Sequence, residues 1–244
     1  MASAALPRVA SVHAPMLARP RVLTGPRSRA GGVGGVRAAS SAASVLSAEK
    51  KQLLAYIDEH GRGIFGLPRK VREQIDGAAQ ALEEHGAQNA SMGGLPNAPM
   101  EVFDGEWRLL YTTLEIKGLA KTRLGLRGMV ELGELYQHIN IGGAHADTIA
   151  TFSIPGLGAE GRLTVSASFE EEGHAESASE ARRFQVQYTE STLEPDALAK
   201  VFEANMDLLL QTFNPEGWLD VTYVDADCRI GRDDKGRLFV LTRC

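Results

Sequence analysis

The chain has 244 residues, a formal net charge of −5, and 43% hydrophobic and 23% charged residues, which are ordinary values for one globular domain with an additional segment. No apolar run approaches the roughly 20 residues that cross a bilayer as a helix, so any membrane contact is expected to be peripheral. Six of the 26 basic residues and none of the 31 acidic ones lie in residues 1–48, so the remainder is acidic, which argues against general nucleic-acid binding.

Residues 1–46 are rich in Ala, Ser, Gly, Pro and Arg, and they contain no apolar stretch long enough for a secretory signal. This composition is typical of an organellar transit peptide. A disordered tail without a targeting role and a mitochondrial address are the alternatives that composition leaves open. We therefore predict a transit peptide over residues 1–46 and a single domain over residues 47–244.

Two amphipathic helices are predicted at the start of the domain. Ser47 can cap a helix that runs to about His60 and stops at Gly61. A second helix starts near Pro68 and ends at Gly86. Their apolar stripes are narrow and their polar faces mix both charges, which favours packing on a sheet over lying on a lipid surface.

The first strand is predicted from Glu106 to Thr113, after a turn. The Gly-x-Trp pattern of Gly105 and Trp107 resembles the opening of lipocalin-type barrels, in which the tryptophan closes one end by packing under a basic residue of the last strand. Arg243 or Arg237 would be that partner. A cation over an indole contributes about 0.5–2 kcal/mol, so these residues are expected to stabilise a barrel end and to have no catalytic role.

The loop from Leu114 to Arg127 is a basic stretch with interleaved apolar residues, in an otherwise acidic domain. Such a loop can contact a lipid headgroup, a diphosphate or a partner, or it can simply cap the barrel with its apolar residues. The candidate lipid or partner contacts are Lys117, Leu119, Lys121, Arg123, Leu124 and Arg127.

Alternating apolar residues predict four more strands, and a helix follows them. The strands are Tyr136 to Ile141, Thr148 to Ile154, Arg162 to Phe169 and Phe184 to Thr189. The helix runs from Pro195 to about Phe213. Gly156, Gly158 and Gly161 match G-x-G-x-x-G, but a strand-like segment follows them instead of a helix, so we reject a dinucleotide site.

The C-terminal residues predict a meander of three strands separated by Asp-rich turns. The strands are Trp218 to Val224, Cys228 to Arg232 and Arg237 to Arg243. In the last one, Leu238 and Val240 face one way while Phe239 and Leu241 face the other, so both sides need cover. Three strands cannot cover both of their own faces, which favours an antiparallel barrel or sandwich formed with the earlier strands.

The sequence shows no arrangement of residues that indicates catalysis. The six histidines are scattered, and Cys228 and Cys244 form no metal-ligand or disulfide pattern. We predict no catalytic residues, no cofactor and no metal. An isomerase that uses acidic residues inside the barrel is a remote alternative.

The stretch from Gly217 to Leu241, GWLDVTYVDADCRIGRDDKGRLFVL, resembles the C-terminal signature of the plastid lipid-associated proteins, or plastid fibrillins. The stretches from Leu53 to Arg72 and from Phe103 to Thr113 match the same family. The resemblance implies a mainly β, lipocalin-like antiparallel barrel with two N-terminal helices and one helix before the C-terminal meander. It also implies a non-enzymatic protein of the chloroplast stroma, thylakoid surface or plastoglobule.

The family resemblance implies prenyl-lipid partners of the plastoquinone, tocopherol or carotenoid class. The run from Thr192 to Gly236 looks most like the subgroup linked to plastoquinone biosynthesis, whose members associate with a polyprenyl diphosphate synthase. Two functions stay open: a carrier with a ligand cavity, or a scaffold that docks such a synthase and has no cavity. Small inward residues would give a carrier room, and the candidates are Ser153, Ser166, Ala167 and Ser168, although the serines could equally face water.

Overall fold

A computed structural model describes residues 48–88, 95, 98–115, 131–172, 181–196 and 216–244. The predicted transit peptide, most of the basic loop and nearly all of the helix predicted before the C-terminal meander lie outside these residues. Neither described helix is long and apolar enough to span a membrane.

Two helices precede a series of strands. Helix α1 covers residues 48–60 and α2 covers Arg69–Gln88. The strands are β1 (Gly105–Thr112), β2 (Glu131–Asn140), β3 (His145–Ile154), β4 (Ala159–Glu171), β5 (Arg182–Glu194), β6 (Gly217–Val224), β7 (Cys228–Asp233) and β8 (Leu238–Arg243). Short 3-10 helices cover Met100–Val102 and Pro155–Leu157.

The eight described strands form one closed antiparallel barrel. Each strand pairs with the next along the chain, and β1 pairs with β8, so that Trp107 lies opposite Arg243. Closure leaves neither β1 nor β8 with an unpaired edge. The predicted lipocalin-like barrel is thereby confirmed.

The barrel interior forms one hydrophobic core. It contains inward residues of seven strands together with Phe103 and Trp107 at one end. Leu241 belongs to this core and Phe239 packs against it, as the alternation in the last strand predicts.

A second core lies between the helices and the outer wall of the barrel. Leu53 and Leu82 of the helices pack there with Ile230, Leu238 and Val240 of β7 and β8. The prediction that the helices pack on a sheet is therefore confirmed. Burial of this wall also explains why one strand can carry apolar residues on both faces.

Helix α2 extends to Gln88, so the prediction that it stops at Gly86 is wrong. Gly86 instead marks a close approach between helix and barrel, because a Cβ there would lie 2.7 Å from the Tyr223 ring. A glycine in this position lets α2 lie directly against β6.

The linker between the helices docks on the end of β1. The Thr112 amide donates to the Arg62 carbonyl oxygen at 3.0 Å. Gly63 has a φ of +76°, and a Cβ there would lie 2.5 Å from the Thr112 carbonyl oxygen, so only glycine fits. This contact places the buried Ile64 at one end of the barrel core.

Candidate ligand site in the barrel interior

The barrel encloses a cavity of about 160 Å³ and a smaller one of about 50 Å³. The two adjoin, because they share the lining residues Gln137, Thr148, Val186, Leu219, Val221 and Arg229. Three of these are apolar and three can form hydrogen bonds. An apolar wall with a few convergent polar groups is typical of a site for a small organic ligand.

The cavity volume limits what fits inside. An engineered cavity of about 150 Å³ in another protein binds benzene, and pockets for drug-sized ligands are typically about 300–1,000 Å³. The larger cavity therefore has room for one ring or a head group. A long isoprenoid chain would have to extend out of the barrel.

The described residues leave one end of the larger cavity uncovered. Its lining there includes Ile64, Leu114, Asp234 and Arg237, together with the exposed Glu216. We call this end the mouth. Leu114 and Glu216 lie close to the two ends where residues 116–130 and 197–215, which the structure leaves undescribed, join the barrel.

The other end of the barrel is plugged around Trp107, which is fully buried. The Trp107 Nε1 donates to the Phe103 carbonyl oxygen at 3.0 Å. The Arg243 guanidinium carbon lies 4.3 Å from the centre of the Trp107 ring. Gly105 has a φ of +110°, and a Cβ there would lie 2.9 Å from Arg243 Nη1, so this glycine gives the arginine its space.

Backbone oxygens hold the Arg243 guanidinium in position. It donates to the Asp104 carbonyl at 2.6 Å, to the Ala226 carbonyl at 2.7 Å, and to the Val102 carbonyl. These bonds connect the end of β8 to the segment before β1 and to the β6–β7 turn. Gly105, Trp107 and Arg243 thus meet at one barrel end.

Arg237 lies at the mouth and not beside Trp107. It pairs with Asp233 at 2.5 Å, across the turn between β7 and β8. Because β8 runs from the mouth to the plug, Arg237, directly before this strand, and Arg243, its last residue, are at opposite ends of the barrel. Of the two partners considered for Trp107, the structure therefore brings only Arg243 to the indole.

Arg229 is a buried residue of the site that sequence reasoning missed. It is 2% exposed, lies in both cavity linings and donates to Gln137 Oε1. Its guanidinium carbon is 5.0 Å from the Trp107 ring centre. Burial and then the charge of Arg243 lower the pKa of Arg229 to about 9, which leaves it charged at neutral pH.

The alternation of side chains along β7 could have identified Arg229 as an inward residue. Its neighbours Cys228 and Ile230 belong to the core under the helices, outside the barrel. Successive strand residues point to opposite faces, so Arg229 must point inward. When the strand is considered without its covering helices, an arginine between two apolar neighbours is instead expected to face solvent.

The small residues considered for the cavity divide between the two faces of β3 and β4. Ala167 lines the smaller cavity. Ser166 and Ser168 alternate with it and face outward, and Ser166 Oγ donates to Asp147 Oδ1 at 2.6 Å. Ser153 alternates with the buried Phe152 and Ile154 and also faces outward. The three serines therefore do not line the cavity. The small polar residue that does line it is Thr148.

The aspartates of the C-terminal turns accept hydrogen bonds from backbone amides of their own turns. Asp225 Oδ1 accepts from the amides of Asp227 and Cys228 at 3.0 and 2.7 Å, and Asp233 Oδ1 accepts from the amides of Lys235 and Arg237 at 3.0 and 2.9 Å. Within the described ranges, no group of three potential ligands could hold a metal ion.

The six loop residues predicted to contact lipid or a partner lie outside the described part of the chain. They are Lys117, Leu119, Lys121, Arg123, Leu124 and Arg127.

Comparison with known proteins gives one family match and several relatives. The family model described as PAP_fibrillin matches residues 47–242. The chain is 28% identical to Plastid lipid-associated protein 3, chloroplastic, of Brassica campestris, over 73% of the chain and 56% of that protein. It is also 28% identical to Probable plastid-lipid-associated protein 3, chloroplastic, of Arabidopsis thaliana, over 73% of the chain and 54% of that protein.

Plastid-lipid-associated protein 6, chloroplastic, of Arabidopsis thaliana is 26% identical, over 78% of the chain and 68% of that protein. The chain thus spans about half the length of the first two relatives. No solved structure matches it.

Proposed function

Because this chain belongs to the PAP_fibrillin family, whose model matches residues 47–242, we propose that it is a non-enzymatic protein that carries prenyl-lipids. The chain is a plastid protein, in keeping with its chloroplastic relatives. In this proposal residues 1–46 are the transit peptide, and the domain works at the thylakoid or plastoglobule surface in support of plastoquinone biosynthesis. Its ligand is of the plastoquinone, tocopherol or carotenoid class.

The observation that carries the proposal is the cavity of about 160 Å³ inside the barrel. Its walls include Leu109, Leu135, Val221 and Leu241, which suit an isoprenoid, and the described residues leave its mouth uncovered. A quinone ring would fit inside, with Gln137 as a hydrogen-bonding partner. The isoprenoid chain would leave through the mouth and stay shielded by a membrane or a lipid droplet.

The basic stretch that follows Leu114 in the chain completes this proposal. Its six candidate residues, Lys117, Leu119, Lys121, Arg123, Leu124 and Arg127, would contact the headgroups or the edge of the lipid phase while the ligand transfers. Replacing the four basic residues by Gln is expected to weaken vesicle binding and to leave the affinity for a dissolved ligand unchanged.

The test is a fluorescence titration of the purified protein with a short-chain plastoquinone analogue in buffer without detergent. Trp107 belongs to the barrel core, so its fluorescence reports on the interior, whereas Trp218 stacks on the exposed Arg183 and reports on the outer face. Saturable quenching at one equivalent supports the carrier. A folded protein that shows no saturation with any prenyl-lipid would refute it.

The small cavity volume favours a second candidate, a scaffold that docks a polyprenyl diphosphate synthase by its outer surface. A cavity of about 160 Å³ cannot enclose a long prenyl chain. The scaffold predicts that the synthase co-purifies with the protein and that filling the cavity does not reduce this association. Loss of the complex when the cavity is filled would instead show that docking of the synthase depends on a bound ligand.

A further inference from the structure

Three charged side chains are buried in the described part of the chain, and two of them have an opposite charge beside them. Arg182 pairs with Glu171 at 2.6 Å, and Asp233 pairs with Arg237 at 2.5 Å. Arg229 has no such partner among the described residues. The positive charge of Arg243 repels that of Arg229 and lowers the Arg229 pKa.

The surroundings of Arg229 hold its guanidinium in place at the junction of the two cavities. Gln137 Oε1 accepts a hydrogen bond from it, and the Trp107 ring lies 5.0 Å away. Gln137 and Thr148 line the same junction. A guanidinium has five N–H donors, and the described residues provide one hydrogen-bond acceptor for it.

A buried charge without a counter-ion is unfavourable, because removal from water is not offset by an opposite charge. Inward apolar residues surround Arg229, so Leu or Met would fill this position at lower cost. An anionic ligand that enters the cavity would neutralise this buried guanidinium and would gain charge-assisted hydrogen bonds from it.

We infer that Arg229 is the head-group receptor of the barrel, binding the anionic oxygens of an acidic lipid, either a fatty-acid carboxylate or a prenyl phosphate. The head sits at the junction of the cavities, and the tail runs along the apolar wall to the mouth. This inference rests on the proposed lipid-binding function, and it makes acidic lipids the preferred ligands over neutral prenylquinones.

A purely structural role for Arg229 leads to different results. If the guanidinium served only to pack on Trp107, the cavity would bind a lipid by its apolar surface, and the charge of the head would not affect affinity. The two roles are therefore separated by ligands with the same tail and different heads.

The first experiment titrates the full-length protein with a fluorescent polyene fatty acid and with the methyl ester of the same acid. A hydrogen bond to a charged group corresponds to about 10- to 100-fold in affinity. We expect the acid to bind about 10-fold or more tightly than the ester. Equal affinities would overturn the inference without any variant being needed.

Variants then assign the preference to one residue. Arg229→Met should lower the affinity for the acid to that for the ester, and should change the affinity for the ester by no more than about twofold. Arg183→Met is the matched control, because Arg183 also stacks on a tryptophan, 4.0 Å from the Trp218 ring, but lies exposed outside the barrel. A preference for the acid that persists in Arg229→Met would also overturn the inference.

Competition separates the two sources of the anionic head and distinguishes this inference from the proposed function. Displacement of the fluorescent acid by farnesyl phosphate but not by palmitate identifies a prenyl phosphate, and the reverse identifies a fatty acid. If a neutral plastoquinone analogue binds while acid and ester are equivalent, the inference fails and the carrier function stands. If no lipid binds, both fail.

Discussion

The Arg229 guanidinium carbon lies 5.0 Å from the centre of the Trp107 ring, which Arg243 approaches to 4.3 Å. Trp107 therefore contacts two cations in different settings. Arg243 is bound by three backbone carbonyls and stabilises the plug. Arg229 faces the cavity, and no carboxylate of the described residues forms an ion pair with it. Arg243 therefore stabilises the fold, and Arg229 is available to a ligand.

Arg229→Met is expected to stabilise the ligand-free protein. It removes a buried charge that no carboxylate of the described residues offsets, which should raise the free energy of unfolding by about 1–3 kcal/mol. Urea unfolding followed by circular dichroism measures this, with Arg229→Lys as the control that keeps the charge. A loss of stability in Arg229→Met would mean that the contacts with Trp107 and Gln137 outweigh the burial of the charge.

Arg243→Ala should destabilise the protein by about 2–4 kcal/mol. It removes the cation over Trp107 and leaves three backbone carbonyls without their donor. Arg69→Ala is the control, and it should cost about 0.5 kcal/mol or less, because it breaks one exposed ion pair with Glu73 on helix α2. Equal losses in urea unfolding would contradict a special role for the plug.

Leu82→Ala should cost about 2–5 kcal/mol, because Leu82 is fully buried between α2 and the outer wall of the barrel. Phe65→Ala, at a residue that is 61% exposed, should change stability by no more than about 0.5 kcal/mol. Both are measured by thermal or urea unfolding. A small effect of Leu82→Ala would mean that the helices are not part of the folded core.

Stability should fall in acid partly through Asp225. Burial acts to raise the pKa of this carboxyl, but hydrogen bonds from Tyr223 and Lys50 outweigh burial, and the pKa is lowered. A lowered folded-state pKa gives stability that is present above the unfolded-state value of about 4 and is lost as the pH falls through the folded-state value.

The measurement for Asp225 is the free energy of unfolding between pH 7 and the acid range, in the wild type and in Asp225→Asn. The variant should show the shallower loss below about pH 5, because it has no carboxylate to protonate. Parallel curves would show that Asp225 does not contribute to acid sensitivity.

The order of the strands could be predicted from the sequence, because period-two alternation and turn residues are local signals. The strand ends could not be predicted as well. β2 begins at Glu131, five residues before the predicted start at Tyr136, and β5 extends to Glu194, beyond Thr189. These extensions are stabilised by pairing with β3 and β4, which is a non-local effect.

The candidate site was harder to predict, because it depends on which way each residue faces in the closed barrel. Choosing between Arg243 and Arg237 required knowing which end of β8 meets Trp107. Arg229 was missed because polar residues in alternating strands usually face solvent. In this barrel the helices cover the outer wall of β7, so the polar residue is the one that points inward.

The measurement that tests the central claim most directly is ligand binding by a barrel whose interior has been filled. Thr148 lines both cavities, so Thr148→Phe should occupy the space for a ring. Thr164→Phe makes the same change on the outward face of β4, between the buried Leu163 and Val165. Titrated with a short-chain plastoquinone analogue, the wild type and Thr164→Phe should saturate at one equivalent, and Thr148→Phe should lose binding at least about tenfold. Unchanged binding in a folded Thr148→Phe protein would contradict an interior lipid site.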